Sequence, residues 1–163
     1  MKTKLDRKEL IKRLDRMRQT YARYDGAKKK GGKWVNTCVT CGKTVECDKA
    51  NGGHFIPRTC QTLRWDERNV HCQCVYCNLY KNGAYIDYSQ WFIKHYGEKM
   101  FDNYIEIFHR WQSGRIPTIK INELRDLHDQ WLRKVRELEK KVGPLFPKSW
   151  ITFGPDFLSE ESS

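Results

Sequence analysis

At 163 residues the chain is long enough for one core with extensions, and 31 lysines and arginines against 20 aspartates and glutamates give a net charge of +11 that points to a polyanionic partner. Nowhere does it approach the roughly 18 uninterrupted apolar residues of a membrane span, and MKTKLDRKEL has no signal-peptide stretch, so a cytoplasmic protein with no membrane partner is expected. Seven cysteines, an odd number without an export signal, argue against a disulfide scaffold and for metal binding.

In chain order, residues 1–34 hold 13 basic and 4 acidic side chains (13 − 4 = +9), whereas residues 35–86 hold only 6 against 4. Leu10, Leu14, Met17, Tyr21 and Tyr24 recur at steps of four and three, which predicts a helix with one apolar stripe ending near Asp25-Gly26. Lys28, Lys29, Lys30 and Lys33, around Gly31-Gly32, read as a mobile linker that a phosphate backbone would order. Residues 1–34 are thus a basic helical arm and linker, suited to DNA.

Residues 35–86 are rich in Cys, Gly, Asn and Val, lack helical periodicity and break at Gly42, Gly52-Gly53 and Pro57, the pattern of short strands and loops stapled by metal. Residues 87–143 are helical. Asp87 with Gln90 resembles a capping box ahead of Trp91, Phe92, His95 and Tyr96, and Gly97 stops that helix. A second helix runs from about Glu98 to Gln112. A third begins near Asn122 and carries Leu124, Leu127, Trp131, Val135, Leu138 and Val142 as a heptad-like seam. The seam packs against the protein's own core or, as the alternative, joins two copies in a homodimer. Residues 144–163 should form an extended tail.

Cys38-Val39-Thr40-Cys41 and Cys74-Val75-Tyr76-Cys77 each present two thiolates on one knuckle, and two such knuckles complete the tetrahedron of a structural Zn2+. Cys47, Cys60 and Cys72 read instead as buried small hydrophobes.

Inside this clamp stand Gly53-His54-Phe55-Ile56-Pro57, then Asn69, then Asn78 directly after Cys77, and Lys81. Here the chain resembles the HNH endonucleases, whose pattern is a histidine followed by two apolar residues and proline, then an asparagine, then C-x-x-C followed by His or Asn and later Lys. The resemblance implies an α+β fold with a zinc-stapled ββα-metal core, flanked by the basic N-terminal helix and the C-terminal helices. Phosphodiester hydrolysis needs a base and a divalent cation. His54, titrating close to neutral pH, suits the base, and Asn78 offers a hard oxygen to Mg2+ or Mn2+. The family assigns Asn69 to holding the base's loop. One departure stands out: many HNH enzymes place Asp or His immediately before the base as a second metal ligand, where this chain has Gly53. Asp48, Asp66, Glu67 and His71 are the possible replacements.

The string Leu63-Arg64-Trp65-Asp66-Glu67-Arg68-Asn69-Val70-His71, with Gln73-Cys74-Val75-Tyr76-Cys77-Asn78, resembles the lambda NinG (Rap) family of phage recombination proteins over roughly residues 38–88. That implies a structure-selective endonuclease acting on Holliday junctions and D-loops in a phage-carrying host. Arg64, as a phosphate fork, and Trp65, as a stacking wedge, become candidate DNA contacts, with local packing as the alternative. The competing readings are a non-catalytic zinc-stabilised DNA-binding accessory protein and a sequence-specific HNH nuclease.

Overall fold

Asp6 starts the first helix by accepting the backbone N–H of Glu9 at 2.8 Å, and α1 then runs Arg7–Tyr24, ending where the apolar stripe ends. The computed structural model describes residues 5–146; all but the first three positions of the expected tail lie outside them. The fold is α+β. No helix among the described residues is long and apolar enough to cross a membrane.

The lysine-rich segment is a hairpin, not a mobile linker. Lys28–Lys30 (β1) pairs antiparallel with Lys33–Thr37 (β2), and β2 pairs with Thr44–Glu46 (β3). The physical reason is Gly31-Gly32: both adopt positive φ (55° and 77°), the conformation a two-residue hairpin turn requires.

Gly52 and Gly53 likewise do not break the chain but lie inside a strand, Asn51–His54 (β4), which pairs with Val70–Gln73 (β5) so that Gly53 faces His71 and His54 faces Val70. Glycine is needed there because other atoms come close. A Cβ on Gly52 would sit 2.8 Å from the Cα of Gln19 on α1, so the first helix lies directly on this strand.

A four-residue helix, Gln61–Arg64 (α2), falls between β4 and β5, and a π turn spans Tyr76–Tyr80. Three further helices follow: Tyr85–Tyr96 (α3), Glu98–Gln112 (α4) and Ile121–Val142 (α5). The expected Asp87/Gln90 capping box is absent, since α3 begins two residues earlier, after Asn82, Gly83 and Ala84 turn through consecutive positive φ values.

Among the described residues, two large apolar cores form. Leu10, Leu14 and Met17 of α1 meet Leu124, Trp131 and Val135 of α5, with Trp65 and Phe146 completing the cluster, so the first part of the heptad-like seam packs inside the chain. The N-terminal helix is therefore part of the core and not a free arm. Phe55, Ile56 and Leu63 pack with Tyr88 and Phe92 of α3 and Tyr104 of α4 in the second.

Candidate metal centre and the strands beside it

The two C-x-x-C knuckles converge. The sulfurs of Cys38, Cys41, Cys74 and Cys77 all lie within 4.8 Å of one another, and the Cys41 and Cys74 Sγ atoms are 3.9 Å apart. Sulfurs about 2.3 Å from a tetrahedral zinc are about 3.8 Å from each other, so the four fit that ion or one like it. Burial works against charge on Cys38, but the Thr40 hydroxyl and backbone N–H groups outweigh it and bring its thiol down to about 6. Burial, with the neighbouring thiols, pushes Cys77 up to about 12. A cation would reverse that penalty, because a coordinating thiol is deprotonated outright. Cys47, Cys60 and Cys72 are buried outside the cluster, as expected of small hydrophobes.

His54 closes β4. Its Nε2 lies 3.0 Å from the backbone oxygen of Arg64. A carbonyl only accepts, so Nε2 carries the proton and the neutral ring keeps a lone pair on Nδ1, which has no hydrogen-bond partner among the described residues. Burial foremost lowers the imidazole to about 4, which corrects the expectation of titration near neutrality. At pH 7 the ring is neutral and able to accept a proton.

Asn69 is fully buried and stitches the loop that follows His54. Its Oδ1 accepts the Ile56 N–H at 2.7 Å, and its Nδ2 donates to the Ile56 and Leu63 carbonyls at 3.0 and 2.9 Å. Asn78 lies half-buried in the π turn, with no side-chain hydrogen bond among the described residues.

The space beside Gly53 is already filled. A Cβ there would lie 1.8 Å from Oε1 of Gln73, whose Nε2 is tied to the Gly83 carbonyl at 2.9 Å. That Oε1 is buried and has no hydrogen-bond partner among the described residues. Three of the four candidate second ligands, His71, Asp66 and Glu67, are engaged elsewhere. His71 has both nitrogens occupied, Nδ1 by the Tyr88 hydroxyl at 2.9 Å and Nε2 by the Tyr96 hydroxyl at 2.8 Å. Tyr88 gives its single hydrogen to the Gly53 carbonyl, so His71 Nδ1 must donate and Nε2 must accept from Tyr96. Burial, chiefly, holds this imidazole down at about 3. Asp66 accepts from Tyr104 and from Arg68, Glu67 pairs with Lys134 at 2.5 Å, and Asp48 is exposed. Among the described residues, the cysteines are the one group of three or more His, Cys, Asp or Glu side chains placed to share an ion.

A family model described as Bacteriophage Lambda NinG protein matches residues 2–141. The chain belongs to the NinG family. Curated relatives include protein ninG of Salmonella phage P22, 35% identical over 99 residues, covering 56% of this chain and 48% of that protein. Protein ninG of Escherichia phage 933W is 34% identical over 96 residues (56% and 47%), and that of Escherichia phage lambda 33% over 96 residues (56% and 46%). The chain spans about half the length of the curated relatives it matches. No solved structure matches it.

Arg64 and Trp65 do not sit as expected of DNA contacts. Trp65 is 2% exposed in the α1–α5 core, where it cannot act as a wedge. Arg64 spends its guanidinium on Asp15, with Nε and Nη2 donating to the two carboxylate oxygens at 2.8 and 2.6 Å, and Trp65 Nε1 donates to the same carboxylate at 2.8 Å. Local packing accounts for both. Lys28, Lys29 and Lys30 are exposed on β1, and Lys33 on β2 lies 2.8 Å from Glu46.

Sequence reasoning missed four supporting residues in this NinG-family chain. Asp15 reaches His54 through Arg64. Arg18, buried on α1, donates to the Glu67 and Val70 carbonyls at 2.5 Å and so fastens β5; burial lowers its guanidinium to about 10. Gln73 fills the space at Gly53, and Tyr88 links that glycine to His71. An arginine in place of an apolar residue on the α1 stripe was the available signal for Arg18. The other three are defined by contacts distant in sequence.

Proposed function

We propose that this chain is a metal-dependent DNA endonuclease of phage recombination, selective for branched DNA and built on an HNH-type ββα core. The observation that carries the reading is His54: its Nε2–H is anchored on a backbone carbonyl, leaving Nδ1 as the lone pair of a neutral base at the end of β4. Asn69 fastens the loop behind it, and Asn78 directly follows the second cysteine knuckle, in a turn whose Gly83 carbonyl accepts from Gln73 of β5. In this mechanism Nδ1 takes the proton of the attacking water while the Arg64 carbonyl holds the ring in that tautomer. A bound Mg2+ or Mn2+ would supply charge neutralisation at the phosphate. Asn78 is the side chain proposed to hold it, with the remaining coordination left to phosphate and water oxygens, as such ions commonly arrange. The basic hairpin supplies contacts to the backbone.

One observation favours a second reading, a non-catalytic zinc-stabilised DNA-binding accessory protein: Gln73 fills the room that a metal-binding side chain at position 53 would need. Incubating the protein and its His54→Ala variant with four-way junction and linear duplex DNA in Mg2+ or Mn2+ separates the two. The nuclease reading expects the wild type to cut the junction and the variant to bind without cutting. Binding without cleavage by the wild type favours the accessory protein, and cleavage at one fixed sequence in linear duplex favours a sequence-specific HNH nuclease.

A further inference from the structure

The π turn and the start of α3 expose large apolar side chains that neither core uses. Tyr76 is 61% exposed, Leu79 60%, Tyr80 76% and Ile86 75%. The Tyr76 and Tyr80 rings lie near parallel, with 26° between their planes and 6.2 Å between their centres, and the Lys81 ammonium sits 5.6 Å from the Tyr76 ring.

We propose that Tyr76 and Tyr80 form a stacking platform for the unpaired bases of a single-stranded DNA segment. The proposal rests on the preceding reading only in taking DNA as the ligand. Three observations carry it. First, the turn is held before any ligand arrives: the Lys81 N–H donates to the Tyr76 carbonyl at 3.0 Å, and the Gly83 N–H donates to the Cys77 and Asn78 carbonyls at 3.0 and 2.9 Å. Because Cys74 and Cys77, in and beside the turn, are placed to hold a metal as well, little order is lost when a base lands on the rings. Second, residues 75–86 contain Lys81 and no acid, in a chain of net charge +11, so the patch complements a polyanion. A second copy docked face to face would set Lys81 against Lys81. Third, ring faces recognise base faces, which a duplex hides in its own stack and a single strand leaves open.

The test uses the full chain and its Tyr76→Ala/Tyr80→Ala double variant, titrated against a labelled oligothymidine of about 15 nucleotides and a blunt duplex of equal length. A weakening of about tenfold per ring is expected on the single strand, with duplex affinity and zinc content unchanged, and Tyr76→Phe/Tyr80→Phe should keep wild-type binding. No binding of oligothymidine by the wild type, an unchanged affinity of the alanine variant, or equal weakening on both probes would overturn the platform. So would a dimer that the alanine variant dissolves while single-strand binding persists, which would make the patch a self-association face. Cleavage is not read in this experiment, so a protein that stacks bases but cuts nothing refutes the nuclease reading alone.

Discussion

Gln73 occupies the space that any side chain at position 53 would need, its Oε1 lying 1.8 Å from where a Cβ would stand. Gly53→Ala should therefore destabilise the protein by about 1–3 kcal/mol in urea denaturation, the usual range for overpacking. Adding Gln73→Ala, which removes all three atoms in the way, should restore most of it. An unaltered midpoint for Gly53→Ala would show that Gln73 moves aside freely.

Both carboxylate oxygens of Asp15 accept from one edge of the Arg64 guanidinium, Nε and Nη2, and the Arg64 carbonyl holds His54. Asp15→Asn should cost about 1–3 kcal/mol, since it leaves a partly buried arginine without its counter-charge. It should also release the His54 ring from its single tautomer, visible in imidazole nitrogen NMR. A variant equally stable, with His54 resonances unmoved, would show that α1 does not position the base.

The histidines set an acid limit. His71 titrates at about 3 in the folded chain and at 6.5 when unfolded, so between those values the unfolded chain binds more protons and stability rises with pH. The contribution is complete above 6.5 and is lost as pH falls toward 3, to a ceiling on the order of a few kcal/mol. His71→Gln, which can still donate and accept but does not titrate here, should flatten that stretch of the curve. His54, at about 4, adds a kinetic counterpart: if it is the base, kcat/KM should keep its neutral-pH value well below 6.5, and an acid limb centred at 6.5 would contradict the assignment.

Metal removal tests the cysteine site. About one zinc per chain is expected, and strong chelation or Cys74→Ser should unfold the knuckles and their π turn, because structural zinc contributes directly to folding. A circular dichroism spectrum indifferent to chelation would sink the zinc assignment.

The β1–β2 hairpin should act through phosphate charge. Replacing Lys28, Lys29 and Lys30 with alanine should weaken DNA binding uniformly across sequences and lower the slope of log affinity against log salt by about 0.9 for each phosphate no longer neutralised. An unchanged slope would place the DNA elsewhere.

Much of this arrangement is legible in the sequence where one local rule decides. Two cysteines on a knuckle announce a metal site, the apolar stripe of α1 marks where that helix ends, and the Glu98 and Gln112 bounds expected for α4 are the ones it has. Where two distant segments compete for the same residue, local rules fail. Gly52-Gly53 reads as a break until α1 and Gln73 are seen pressing on both glycines. Arg64 and Trp65 read as DNA contacts until Asp15, some fifty positions away, is found between them. The Asp87/Gln90 spacing suits a helix start, but the turn that follows the zinc knuckle begins α3 earlier. His54 titrates low because of burial, which no motif records.

The apolar partner of α1 is α5, so of the described helices the one synthesised earliest waits for the one synthesised latest. Until Ile121–Val142 has been made, the stripe of Leu10, Leu14 and Met17 has only Trp65 of its core against it. The four knuckle cysteines and the Asn69 hydrogen bonds that stitch the loop after His54 all lie within residues 38–77 and make no use of α5, whereas the α1 stripe depends on it. A chain ending before Ile121 would therefore leave Leu10, Leu14 and Met17 without the α5 side of their core.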